Sequence, residues 1–278
     1  MRLRRFVLWV LLATVSAGGS GCAFLKDLFG SEPDHNPQAY FERANDEFDD
    51  EDYDDAVEYY EQVITLFPYS KYATAAELRI GESYFLDEAY PEALLHLNEF
   101  EKRHPRHKDI EYVLYLLAMS YAKQIPTIDR TPNFAAETVK AFDRLLERFP
   151  DGQYTAKATA EREKAAKWLA EYTMQIAIFY YRAQDYWATW GRCMEVLDEH
   201  RGLGQDDRAL YYLGKAYFFL GEDAKAEQVF LDHESHFPNS PRHPSVETFL
   251  ATIRDEGLGM NRTWRKFKER VFYYFGYE

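Results

Sequence analysis

A spacing that returns along the chain limits its possible folds more than any other feature. One stretch reads Gly81-x-x-Tyr84-x5-Tyr90-x-x-Ala93 and then Pro105. A second reads Leu213-Gly214-x-x-Tyr217-x8-Ala226-x3-Phe230 and then Pro238. Each interval suits two antiparallel helices joined by a short turn. Gly and Ala let the paired helices approach closely, and Tyr and Phe fill the seam. Pro ends the second helix, because it lacks an amide hydrogen and clashes with the preceding turn. A single hairpin of this kind cannot bury its own apolar face, so such units stack on their neighbours. Alternating Val/Ile/Thr-rich runs between turn signals are sparse, which leaves little room for a sheet.

In residue type and spacing these stretches resemble the tetratricopeptide repeat. Three weaker units complete the register. In the first, Ala44, Tyr53, Ala56, Tyr60, Leu66 and Pro68 fall on the expected positions. The third has its first helix around 112–123, with Leu117, Ala118 and Tyr121 in place. Its second helix is expected over 137–149, ending at Pro150. The stretch 124–136 between them is about eight residues longer than the motif requires. In the fourth, Ile176, Ala177, Tyr180, Tyr186 and Val196 are in register, and 154–181 contains neither Pro nor Gly. One long helix is therefore expected near the middle of the array. The resulting fold class is all-α: a tetratricopeptide superhelix of about five helix pairs plus C-terminal helices, with a concave groove.

The first residues read as a targeting signal. Arg2, Arg4 and Arg5 precede an apolar run over 6–17. That run is about 12 residues long, where a membrane-spanning helix needs roughly 20. Small residues follow, and then Cys22. The arrangement resembles a bacterial lipobox, whose cysteine becomes the acylated N-terminus. Ser20 and Gly21 fit; Gly19 stands where an apolar residue is usual. An ordinary secretory signal with a nearby cysteine is the alternative. Ala23, in place of Asp, leans towards the outer membrane. Acyl chains would hold the protein stably, at ~0.8 kcal/mol per buried methylene. The stretch 26–37, with Gly30, Ser31, Pro33 and Pro37, lacks helical periodicity and reads as a tether.

Composition narrows the function classes. The formal charge is −14, and removing the three leader arginines takes the rest to about −17. Nucleic acid is a poor partner for such a surface, since its phosphates demand basic residues. Aromatics make up 17% of the chain, a load that suits helix seams or binding surfaces. With only two cysteines there is no Cys-rich zinc module. If Cys22 is acylated, Cys193 has no partner within the chain, and stability does not rest on an intramolecular disulfide. His233-Glu234-Ser235-His236 is not the zinc-protease pattern, which needs two intervening residues before the second histidine. Gly202-Leu-Gly204 lacks the third glycine of a nucleotide loop. No metal, cofactor or enzymatic activity is expected.

The order of features says more than repeat content. A lipobox, a tether, five units, an extended loop in the third and a long helix before the fourth occur together. Local strings accompany them: Phe67-Pro68-Tyr69-Ser70-x-Tyr72, His104-Pro105-x-His107-x-x-Ile110-x-Tyr112-Val113-x-Tyr115, Asp129-Arg130-Thr131-Pro132, Phe149-Pro150-x-x-x-Tyr154, and Glu171-Tyr172-x4-Ala177-x-x-Tyr180-Tyr181 ahead of Trp187-Ala188. The layout resembles the BamD family, lipoproteins of the outer-membrane β-barrel assembly machine, over about 22–238. The resemblance implies a periplasmic, lipid-anchored protein without a cofactor. It implies binding to the BamA-type barrel partner and other assembly subunits, chiefly through the C-terminal units. It also implies reception of unfolded outer-membrane proteins, chiefly through the N-terminal units. A general periplasmic repeat lipoprotein, acting in envelope coordination or polymer export, is the alternative.

Residue by residue, Arg192 matches an arginine that the family uses at its barrel-partner contact. A planar guanidinium suits bidentate pairing with a carboxylate. Glu195, one turn away, is an alternative partner within the helix. In tetratricopeptide proteins the first helix of each pair presents set positions to the concave face. Here these are Phe41, Asn45 and Phe48 in the first unit and Glu82 and Phe85 in the second. They could line a substrate groove or be core packing. The acidic run within 46–55 reads as a solvated turn, with a basic partner or a metal as the other possibility. The expected organisation is a leader over 1–21, a tether over 22–36, substrate-side units over 37–152, partner-side units over 153–256 and a tail over 257–278. The tail departs from the family: after Gly257 and Gly259 come five basic residues, Arg270 among them. These are interleaved with Trp264, Phe267, Val271, Tyr274 and Phe275 on one helical face. Self-capping, a partner subunit and an anionic membrane are its three possible docking places.

Overall fold

The computed structural model describes residues 35–125 and 132–256, with the side chains of 255 and 256 left aside. The leader, Cys22, the tether up to 34, loop residues 126–131 and the tail 257–278 lie outside them. Among the described residues every regular element is a helix. The chain separates into two compact units between Asp87 and Glu88. The first holds α1 (Pro37–Asp49), α2 (Tyr53–Leu66) and α3 (Ala73–Leu86). The second holds α4 (Tyr90–Arg103), α5 (Ile110–Ala122), α6 (Asn133–Arg148), α7 (Thr155–Arg182), α8 (Tyr186–Glu199), α9 (Asp206–Leu220), α10 (Asp223–His236) and α11 (His243–Glu256).

The repeat register determines where helices stop. Phe67, His104, Phe149 and Phe237 cap the second helices of four pairs, and each precedes a proline. Their φ angles fall at −134°, −126°, −133° and −130°, since the proline ring pushes its predecessor out of the helical region. Each of the four still donates its amide to the carbonyl four residues back. Between consecutive helices the chain uses single left-handed residues at Glu51 (φ 64°), Glu88 (61°), Gln184 (59°) and Gly221 (87°). Only the last is glycine, so the other three accept a cost on the order of 1 kcal/mol.

The first unit begins with Asn36, whose side chain accepts the amide of Ala39 at 2.9 Å, ahead of Pro37 in the first turn. Its core is Ala44, Ala56, Val57, Tyr60, Val63, Ala76 and Ile80. Ala44 and Ala56 are wholly buried, and their small side chains allow the close approach that the spacing demands. Tyr60 fills the seam and donates its hydroxyl to Asn45 at 2.7 Å. Burial raises its phenol well above the usual range.

In the second unit α7 runs 28 residues, about 42 Å, as the absence of Pro and Gly predicted. Its first half packs on α6, where Arg162 meets Asp143. Its second half buries Met174, Ala177 and Ile178 against Cys193, Val196 and Leu197 of α8 and Leu213 of α9. Burial drives the Cys193 thiol far up, away from reactive thiolate. Gly214 is required by contact: a Cβ there would sit 2.5 Å from the Phe230 ring. Phe230 is wholly buried between that glycine and Phe249 of α11, whose ring stacks on it at 5.3 Å.

One expectation is corrected. The second helix of the third unit starts at Asn133, four residues before the expected 137, and ends at Arg148. The carbonyl of Pro132 accepts the amide of Ala136. Ala135 and Thr138 are wholly buried, so packing draws this first turn into the helix. After Pro150, α6 packs on the first half of α7.

Candidate functional site

Two surfaces carry the residues that the sequence singles out. The first lies on α8. Arg192 Nη1 donates to Glu195 Oε2 at 2.5 Å, and Thr173 of α7 donates to the other oxygen at 3.5 Å. The internal pairing that i,i+3 spacing allows is thus present. Arg192 is 42% exposed, so the pair contributes little to stability, roughly 0–1 kcal/mol, and the guanidinium keeps a face to water. Beside it on α8, Trp190 donates its ring N–H to the Tyr217 hydroxyl at 2.8 Å. Trp187 and Phe179 are 62% and 66% exposed. Sequence reasoning did not assign these two aromatics to a site. Their signal was available: both fall off the buried register of their helices.

The second surface lies in the first unit. Phe41, Asn45 and Phe48 form one stripe of α1, and all three are half-buried. Phe41 packs against Tyr60 and Tyr72, with ring centroids 5.6 and 5.2 Å away. Asn45 holds the Tyr60 hydroxyl. Phe48 lies edge-on to Tyr53, and the Arg79 guanidinium sits 4.8 Å from its ring centre. Arg79 also donates to Glu82 at 2.9 Å. Phe48, Arg79 and Glu82 therefore link α1 to α3, and Phe85 follows Glu82 on the last turn of α3. The structure brings the predicted stripe together and also gives each of its first four residues an intramolecular contact.

The acidic run spreads over the α1–α2 turn. Arg43 pairs with Glu47, while Asp54 and Asp55 occupy the first turn of α2, where the helix dipole favours negative charge. In the His233–His236 segment the two imidazoles have different partners. His233 is wholly buried, with Nε2 2.6 Å from Asp207, and His236 faces the carbonyl of Asp232 in its own helix. Asp207 also accepts from Ser240 and Arg242, each at 2.8 Å, tying α9 to the turn before α11. Cys22 and the tail residues Trp264, Phe267 and Arg270 lie outside the described residues. No described helix is long and apolar enough to cross a membrane.

Helical hairpins in tetratricopeptide register define a class of helical repeat protein. The chain belongs to the family described as YfiO, outer membrane lipoprotein, whose model matches residues 33–233. Among its relatives is the outer membrane protein assembly factor BamD of Neisseria meningitidis serogroup A, 28% identical over 218 residues, covering 75% of this chain and 82% of the relative. BamD of Caulobacter vibrioides is 26% identical over 251 residues, covering 90% and 80%. Among solved structures, a tetratricopeptide repeat protein from Parabacteroides merdae matches at a TM-score of 0.35 and 14% identity, covering 77% of this chain and 73% of that one.

Proposed function

We propose that this protein is a scaffold for outer-membrane β-barrel assembly. The observation that carries the reading is the family match over residues 33–233, together with relatives that are named outer membrane protein assembly factors. In this reading the acylated Cys22 anchors the chain at the periplasmic face of the outer membrane. The units over 153–256 bind the BamA-type barrel protein and other assembly subunits. The units over 37–152 receive unfolded outer-membrane proteins. Binding and orientation account for the role, with no catalytic step and no cofactor.

On the partner side, Arg192 exchanges or shares its carboxylate. Its exposed guanidinium face supports a charge-assisted pair with a partner acid, and the bond to Glu195 holds it in place beforehand. On the substrate side, the half-buried rings of Phe41, Phe48 and Phe85 offer apolar contact, and Asn45 and Glu82 offer polar atoms to an extended segment. The test is a mild-detergent pull-down from native membranes with tagged wild-type and Arg192→Glu chains. Wild type is expected to recover a barrel protein bearing soluble periplasmic domains, and the variant at least about tenfold less of it. Equal recovery by the variant removes Arg192 from the contact. Absence of any barrel protein from a clean wild-type sample overturns the assembly reading and leaves a general envelope scaffold.

A further inference from the structure

The last two described helices bring together three donors that the assembly role does not use. Glu234 lies near the end of α10, and His243 and Glu247 lie one turn apart at the start of α11. One oxygen of each carboxylate and one ring nitrogen of His243 all stand within 4.8 Å of one another. His243 Nε2 is 3.5 Å from Glu247 Oε1. A good hydrogen bond is shorter, at about 2.7–3.2 Å. Two donors on one tetrahedral Zn2+, with bonds of about 2.0–2.2 Å, stand about 3.3–3.6 Å apart. The separation suits a shared cation better than a direct bond.

The donors are also uncommitted. His243 Nδ1 is buried and has no partner among the described residues, so Nε2 is the nitrogen that can gain one. The side chain of His243 is 32% exposed, which leaves an approach from water. Among the described residues no cation or hydrogen-bond donor meets Glu234, and Glu247 meets only His243. Two other groups of comparable make-up differ in this respect. In one of them Glu195 already pairs with Arg192, and in the other Glu47 pairs with Arg43.

The fold holds both donor-bearing helices in place. Asp207 accepts from Arg242 at 2.8 Å and lies 2.6 Å from His233 Nε2. His233 immediately precedes Glu234, and Arg242 immediately precedes His243. One network therefore fixes the backbone beside two of the three donors, as a precise metal site needs. An imidazole with two carboxylates suits a borderline divalent ion such as Zn2+, whereas Ca2+ and Mg2+ take oxygen donors. Three protein donors leave the fourth position to water.

We propose that Glu234, His243 and Glu247 form a Zn2+ site that clips α11 to α10. The ion's role is structural. Through Ser245 and Phe249, α11 covers Tyr211 and Phe218 of α9, and the clip holds it there. The proposal is independent of the assembly role.

Calorimetric titration of the full, untagged chain in detergent with ZnCl2, after chelator treatment, tests it. Glu234→Gln, Glu247→Gln and His243→Gln should each weaken Zn2+ binding at least about tenfold. Glu195→Gln, in the other histidine-containing group, should leave it unchanged. Circular dichroism in chelator should be the same for every chain, so that a lost site is told apart from a lost fold. Hydrogen exchange supplies a second reading. Zn2+ should slow exchange over 243–253 at least about fivefold in wild type and not in Glu234→Gln, with 37–86 unchanged in both. Three results overturn the proposal: no Zn2+-dependent heat or protection in wild type, equal affinity in wild type and the Glu234 and His243 variants, or Mg2+ binding as tightly as Zn2+. The second would place the ion elsewhere on the chain, and the third would make the group an ordinary acidic surface.

Discussion

The first helix of the first pair and that of the last pair share a register but not an environment. On α1 the stripe is Phe41, Asn45 and Phe48, and all three residues are half-buried. On α9 the equivalent stripe is Tyr211, Lys215 and Phe218, and these are 3%, 7% and 3% exposed. The backbone pattern is the same. Neighbouring helices cover the two stripes differently: α3 and its N-cap bring Arg79 and Tyr72 to the α1 stripe, whereas α7 brings Tyr181 to 4.3 Å from the Lys215 ammonium and α11 lays Phe249 against Phe218 and Phe230 and bonds Ser245 to the Tyr211 hydroxyl at 2.9 Å. How deeply a repeat's inner face is buried thus depends on the side chains that neighbouring helices deliver, and not on the repeat motif.

The largest test of this contrast is Phe230→Ala. The ring fills the space that Gly214 leaves and supports Phe249, so its loss should cost about 3–5 kcal/mol. The described tryptophans, Trp168, Trp187 and Trp190, all belong to the second unit, and the first unit has none among its described residues. Urea unfolding followed by tryptophan fluorescence should therefore shift to lower denaturant. Hydrogen exchange in 37–86 should keep its protection. An equal loss in 37–86 would mean that the two faces are one cooperative structure and that the contrast is false.

A smaller effect is expected in the first unit from Tyr60→Phe. It removes the hydroxyl that Asn45 accepts and leaves a half-buried amide oxygen short of a donor, at about 1 kcal/mol. Exchange in α1 and α2 should quicken while the tryptophan transition stays in place. No change would show that the α1 stripe is solvated and less ordered by Tyr60 than the 2.7 Å contact implies.

The smallest effects have opposite signs. Gly221→Ala places a side chain at φ 87° and should destabilise by about 1 kcal/mol. Glu51→Gly relieves a left-handed residue at φ 64° in the matching turn of the first pair. It should change stability by no more than about 0.5 kcal/mol, and in the favourable direction, because added chain entropy offsets part of the relief. Thermal unfolding of the two variants against wild type reads both. A shared sign would mean that the turns are not equivalent.

Much of this was legible in residue order. The four pre-proline caps, the small residues Ala44, Gly214 and Ala226 at the seams and the long α7 all come from local chemistry: a missing amide hydrogen, a missing side chain and an uninterrupted helical run. The α6 start was not legible. Asn133 to Ala136 follow Pro132 and include two alanines, so local propensity permits a helix without fixing where it starts, and the burial of Ala135 and Thr138 accompanies the earlier start. The candidate site was legible only as register. Spacing placed Arg192 within reach of Glu195, but the bond from Thr173 that helps hold that carboxylate comes from another helix.

The sequence by itself thus determined which segments are helices, where they end and which side chains share a face, because these depend on neighbours within about four residues. Tertiary structure alone decided which faces are covered. A residue's exposure depends on side chains that other helices deliver, as Phe249 of α11 does for Lys215 of α9. No spacing within one repeat carries that information.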